Sequence, residues 1–344
     1  MARRRTTLRD VADAVGVHVS TVSRALNPRT RHFIRPEVSR QILDVSAALN
    51  YRPNAAALSL RTNRTRIVGV LIPDIANPVF PPIIRGIEDG LVAHDYMAML
   101  VNTDARPGRQ ASQIEALVAR GVDGLVVASL ECEDPAVSRI ADEGVPVVAV
   151  NRRSNDRRIA SVSNDDASGL LQILRHLKTL GHLRVANIAG PQTISTGKDR
   201  YDAFERYRRE LGLDAAPGLV RFAARFNEAE GERCAADLVD READFTAIVA
   251  SNDRLAVGAI GLLKSRGIAC PEAMSVVGFN DMPMVDRLEP PLTTVRVQQY
   301  DVGRKAAELV LARFDALEVG SDGFEPIVMP VELVVRRSTA PPPR

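Results

Sequence analysis

The chain has 344 residues, 45% hydrophobic and 26% charged, with a net charge of +2, enough for two or three compact units with cores of their own. No apolar run approaches the ~20 residues that span a bilayer, and the basic start, MARRRTT, leads into no signal-type apolar segment, so a cytoplasmic protein without a membrane partner is expected. Three scattered cysteines, Cys132, Cys234 and Cys270, imply buried thiols in a reducing compartment, and neither they nor the five histidines are spaced for a metal.

The near-neutral total conceals two parts of opposite sign. Residues 1–66 hold thirteen arginines, no lysine and four acids, a balance of +9, while residues 67–344 carry −7. A basic head on an acidic body suits a polyanionic partner, because a merely solvated face mixes both signs. Arg3, Arg4 and Arg5 form a tail able to reach phosphates. Leu8, Val11, Ala12 and Val15 recur at helical spacing and predict a helix over 8–15, broken by Gly16. Val22, Ala25 and Leu26 give a second stripe, which turns Ser20, Ser23 and Arg24 outward. On pattern alone these are either the hairpin of an ordinary bundle or a helix-turn-helix. The charge favours the latter, whose second helix enters the major groove of DNA. There Arg24 has the sharpest chemistry, since a guanidinium pairs in bidentate fashion with guanine O6 and N7. The following stretch, NPRTRHFIRPE, carries three arginines and reads as a phosphate-gripping loop or as an exposed loop with incidental charge. Pro36 suits the first turn of a helix, which Val38, Ile42, Val45 and Leu49 continue to close a small bundle. Asn54 is a good cap for AAALSL, a segment too short to be stably helical by itself.

From Arg66 short apolar runs alternate with helical stretches. RIVGVLI, YMAMLV, DGLVVAS and VPVVAV have the texture of buried parallel strands, with helices beginning near Val79, Arg109 and Pro135. RVANIAG, LVRFAARF, TAIVAS and MSVVGF form a second series. Two such series predict two doubly wound α/β lobes. Ligands of open α/β sheets lie beyond the carboxyl ends of strands, which singles out Asp74, Asn77 and Phe80, then Asn151 and Arg152. Ser195, Thr196, Gly197 and Arg200 follow RVANIAG at a helix start, a setting that favours anionic or hydroxyl oxygens. Asn252, Asp253, Asn280 and Asp281 follow the later strands. GPQTISTGK is not a phosphate loop: six residues separate Gly190 from Gly197, and Asp199 follows Lys198 where Ser or Thr is needed. With no GxSxG, GxGxxG or HExxH pattern either, neither an enzyme nor a cofactor is expected.

TLRDVADAVGV, TVSRALN and YRPNAAALSL, in this order and spacing, resemble the lactose/galactose repressor family of bacterial transcription regulators, and the likeness continues to VELVVRRST. The resemblance implies a small all-α helix-turn-helix domain over 1–53, a hinge helix and linker over 54–65, and an α/β bilobed periplasmic-binding-protein-like sensor over 66–340. Lobe 1 would take about 66–163 and 294–326, and lobe 2 about 164–293 and 327–340, with crossings near 163, 293 and 326. The family's base-reading positions fall on Val19, Ser20 and Arg24, and its phosphate contacts on Thr7, His18, Thr21, Ser23, Asn27 and Arg35. His18 replaces the usual capping serine, a change expected to weaken the cap. Asn54, Ala57 and Leu60 match the hinge, where Leu60 is the wedge that kinks DNA from the minor groove. The implied effector contacts are Phe80, Asn151, Arg152, Thr196, Arg200, Phe226, Asn252 and Asn280.

Sugar-binding members often carry Asp at the positions of Asn151 and Asn280 and Gln at that of Val297. Here two neutral amides and a valine stand there, Arg152 and Arg200 remain, and the chain has no tryptophan. An acidic effector is therefore expected: a sugar acid, a phosphorylated sugar or another small carboxylate. The tail STAPPPR has no heptads, so the expected assembly is a homodimer on a near-palindromic double-stranded operator. The implied role is that of a cytoplasmic, nucleoid-associated repressor.

Overall fold

The computed structural model describes residues 6–27, 30–52, 64–241, 244–319 and 325–343. The chain divides into two units, Met1–Thr65 and Arg66–Arg344. The arginine tail at 3–5 and the hinge residues Asn54, Ala57 and Leu60 lie outside the described residues.

The first unit is built from α1 (Leu8–Val15), α2 (Val19–Leu26) and α3 (Pro36–Ala48). Val11, Ala12, Val22, Ala25 and Ile42 are its buried core, flanked by half-buried Leu8, Val15, Leu26, Val38 and Val45. Thr7 opens α1 with a reciprocal cap: its hydroxyl accepts from the Asp10 amide, and the Asp10 carboxylate accepts from the Thr7 amide. Gly16 ends the helix at φ 74°, a left-handed conformation that costs glycine little. Leu49, expected on the stripe of the third helix, instead caps α3 and is 39% exposed. The chain leaves the helix there, so its side chain no longer lies over the core.

In the second unit, lobe 1 contains β1 (Ile67–Ile72), α4 (Phe80–Val92), β2 (Met97–Asn102), α5 (Pro107–Ala119), β3 (Gly124–Val127), α6 (Pro135–Asp142), β4 (Val147–Val150) and β5 (Ala160–Asn164). Lobe 2 contains α7 (Asp166–Leu180), β6 (Val185–Ala189), α8 (Ser195–Glu210), β7 (Val220–Phe222), α9 (Glu228–Arg241), β8 (Ala247–Ala250), α10 (Asp253–Ser265) and β9 (Ser275–Val277). The chain then runs through β10 (Thr294–Val297), α11 (Gln299–Val319), β11 (Ile327–Met329) and β12 (Val331–Val334). The lobe 1 sheet has the order β11-β5-β4-β3-β1-β2 and the lobe 2 sheet β7-β6-β8-β9, all parallel. The strands β1, β3, β4, β6, β8 and β9 are buried, mostly apolar runs packed under helices, whereas the edge strands β2, β7 and β11 stay partly exposed.

Two crossings between the lobes depart from the expected positions. β10 pairs antiparallel with β12, and Thr293 and Arg296 bridge to Val277 and Asn280 of lobe 2. The second crossing therefore lies at 297–299, not near 293. β11 joins lobe 1 beside β5, so residues 327–329 do not belong to lobe 2 and the last crossing falls at Pro330. A three-residue strand carries too little pattern to reveal which sheet it joins. All three cysteines are free thiols, but against expectation only Cys234 is buried, Cys132 and Cys270 being half-buried. No described helix is long and apolar enough to cross a membrane.

Candidate functional site

On the first unit, Ser20 and Arg24 are exposed one turn apart on α2. Val19, Thr21 and Ser23 are half-buried, and Val19 packs partly against the small core. Thr7, His18 and Arg35 are exposed and Asn27 is half-buried. His18 still caps α2 in place of the usual serine. His18 Nδ1 accepts from the Ser20 amide at 3.2 Å, its sp² nitrogen lone pair taking the place of a hydroxyl oxygen. A neutral ring accepting at Nδ1 carries its proton on Nε2, which is a donor suited to a phosphate.

In the second unit all eight candidate effector residues line one small cavity of about 30 Å³, together with Asn77 and Val79. Phe80, Asn151, Arg152 and Thr196 meet Arg200, Phe226, Asn252 and Asn280 there, bringing loops of both lobes to one place. A larger cavity of about 440 Å³ shares Asn77, Arg152 and Phe226 and extends to Asp74, Glu131, Glu133 and Arg254.

The three asparagines use their oxygens internally. Asn252 Oδ1 caps α10 by accepting from the Leu255 amide at 2.9 Å. Asn280 Oδ1 accepts from Arg200 Nη2 at 3.4 Å, and Asn151 Oδ1 from Asn164 Nδ2 at 3.3 Å. Each amide nitrogen is left to donate. Asn151 and Asn280 have φ of 64° and 119°. Asparagine tolerates the left-handed region better than most residues.

The two arginines are not equivalent. Arg200 is 2% exposed; its Nε donates to Asp166 at 2.9 Å, its Nη1 donates to the Ser251 carbonyl at 2.6 Å, and its guanidinium lies 3.8 Å from the Phe279 ring centre. An acid thus stands beside Arg200, one that the comparison of Asn151, Asn280 and Val297 with sugar-binding members did not take into account. Asp166 follows β5, so the rule that singles out residues after strands could have found it. Burial raises the Asp166 carboxyl, while the Arg200 charge and hydrogen bond pull it back. Arg152 is 8% exposed, Nη1 reaches only the Leu130 carbonyl at 3.4 Å, and Nε has no hydrogen-bond partner. Burial pushes its pKa down to about 10, with the Glu131 charge opposing, and it stays protonated at neutral pH. Val297 is buried in the lobe 2 core and does not line the cavity.

A helix-turn-helix unit followed by two α/β lobes around a polar cavity is the architecture of a DNA-reading head joined to a ligand-sensing body. Residues 7–54 match the bacterial regulatory proteins of the lacI family, and residues 174–339 match a periplasmic binding protein-like domain. The HTH-type transcriptional regulator DegA of Bacillus subtilis (strain 168) is 32% identical over 340 residues, 98% of this chain and 99% of its own. The ribose operon repressor of Halalkalibacterium halodurans is 30% identical over 334 residues, 97% of each chain. The chain belongs to the lacI family of bacterial regulatory proteins. Among solved structures, the lac repressor dimer bound to operator and the anti-inducer ONPF shares the fold, with a TM-score of 0.86 at 24% identity over 98% of this chain and all of that one. The CelR-cellobiose complex aligns with a TM-score of 0.74 at 27% identity, over 97% and 100% of the two chains.

Proposed function

We propose that this chain is a transcriptional repressor that binds a near-palindromic operator as a homodimer, in the cytoplasm, under control of an acidic small molecule held between its lobes. In this reading Val19, Ser20 and Arg24 face base edges. Thr7, His18, Thr21, Ser23, Asn27 and Arg35 hold the head on phosphates, and Asn54, Ala57 and Leu60 act in the minor groove. Two heads about one helical turn apart would read two half-sites. The lac repressor dimer bound to operator, which shares this fold, supports the assembly.

The effector class rests on the convergence of donors. The amide nitrogens of Asn151, Asn252 and Asn280 and the guanidinium of Arg152 line one cavity whose amide oxygens are already engaged. Donors without matching acceptors favour a ligand rich in acceptors, and a sugar acid, a phosphorylated sugar or another small carboxylate brings the compensating charge. One observation favours a second reading: Asp166 already neutralises Arg200, so an amide-rich cavity also suits a neutral sugar.

A thermal-shift panel on the full chain separates the two, using neutral sugars, sugar phosphates, sugar acids and nucleobases. A compound at 100 times its Kd stabilises by about 2.7 kcal/mol. The acid reading expects an anion to give the largest shift and Arg152→Met to abolish it. A neutral sugar whose shift survives Arg152→Met would defeat it.

A further inference from the structure

The recognition helix α2 has eight residues and ends without a left-handed cap: Asn27 is extended, with φ −90° and ψ 116°. The Asn27 amide still reaches the Arg24 carbonyl, at 3.3 Å, and the last turn takes further partners from the chain beyond it. Thr30 Oγ donates to the Arg24 carbonyl at 3.0 Å, and Arg31 Nε donates to the Ala25 carbonyl at 2.9 Å. The amides of Thr30 and Arg31 both donate to the Asn27 carbonyl, at 3.1 and 2.9 Å, which folds the chain back over the helix end. Arg31 is half-buried where Arg35 is exposed. A cation against the carbonyl end of a helix also complements its dipole.

We infer that Thr30 and Arg31 are positioning residues for base recognition: they clamp the last turn of α2, and through the backbone of Arg24 itself they hold that guanidinium in register with its base. Arg31 is then not a phosphate contact, although its sequence context reads as one. The inference rests on the assignment of Arg24 as a base reader.

The test selects duplexes from a random pool with the full-length protein. It then measures affinity for the selected duplex, for each single-base variant and for an unselected duplex across salt concentrations. Arg24→Ala identifies the base pair that Arg24 reads. Thr30→Val and Arg31→Met should lower discrimination at that pair about fivefold, the equivalent of roughly 1 kcal/mol, with other positions little changed. Thr30→Ser should restore it. Arg31→Met should leave the salt slope on the unselected duplex unchanged, and Arg31→Lys, which cannot repeat the Nε bond, should behave like Arg31→Met. A salt slope lower by about one in Arg31→Met would make Arg31 a phosphate contact and overturn the inference. Unchanged discrimination in Thr30→Val would overturn it as well. Uniform weakening at every position in Arg24→Ala is a different failure, that of the base-reading assignment.

Discussion

Arg200 and Asp166 form an ion pair inside lobe 2, their side chains 3% and 9% exposed. Because Arg200 also serves Ser251 and Asn280, its removal does more than delete a ligand contact. Arg200→Ala should strand a buried carboxylate and cost about 3–5 kcal/mol, read by urea denaturation. Replacing both partners, Arg200→Met with Asp166→Leu, should recover most of that loss. A cost of the single change no larger than that of a surface substitution would show that the pair bears no structural role. For the same reason Arg152, not Arg200, is the clean probe of effector charge.

Ion pairs also join the two lobes. Arg153 of lobe 1 donates to both Asp199 oxygens, at 2.9 and 2.6 Å. Arg254 of lobe 2 reaches Asp74 at 3.1 Å while held by Glu228. Each pair is part-exposed and worth no more than about 1 kcal/mol, yet that is enough to move an equilibrium between lobe arrangements. Asp199→Arg should lengthen the distance between spin labels placed on the two lobes, and adding Arg153→Asp should bring it back. An identical distance distribution in all three proteins would rule out a role in closure.

Asp253 gives lobe 2 a pH dependence of definite sign. Its carboxyl is fully buried and accepts from Thr294 Oγ and the Met282 amide. Burial raises its pKa from 3.8 to about 6; those hydrogen bonds and the Arg200 charge oppose the shift, and the Asp281 charge adds to it. Because the folded state holds this proton more tightly, the contribution is full below pH 4 and is lost as pH rises through 6. It amounts to roughly 3 kcal/mol. Between pH 4 and 7 wild type should therefore lose stability relative to Asp253→Asn by about that amount. The comparison cancels the opposite effect of Glu228 and Glu230, whose pKa values are lowered by Arg254 and Arg233. A constant difference across this range would contradict the assignment.

Two glycines should respond to alanine with opposite signs. A Cβ on Gly303 of α11 would lie 2.0 Å from the Ile83 carbonyl oxygen of α4, whereas one on Gly261 of α10 meets nothing within 4 Å. Both gain up to about 1 kcal/mol in helix propensity. Gly261→Ala should raise the Tm, and Gly303→Ala should lower it by forcing the two helices apart in the lobe 1 core. Equal shifts would mean that the close approach of α4 and α11 is not obligatory.

The helices of the head and the alternation of the two lobes were legible because each rests on local periodicity, and the charge split pointed to a polyanion. Loops after strands were equally legible as the place for a ligand, since topology puts strand ends beside the cleft. The sequence did not reveal that Asp166 neutralises Arg200, that β11 returns to lobe 1, or that Arg31 turns back onto the recognition helix. Pairings between residues far apart in sequence, and the direction in which a long side chain folds, depend on which carbonyls and charges the packed chain leaves unsatisfied. By itself the sequence determined the kind of protein and the loops that carry its chemistry. Tertiary structure decided which charges in those loops are already spent and which remain for a ligand, because a buried charge is free or committed according to the neighbours that packing brings to it.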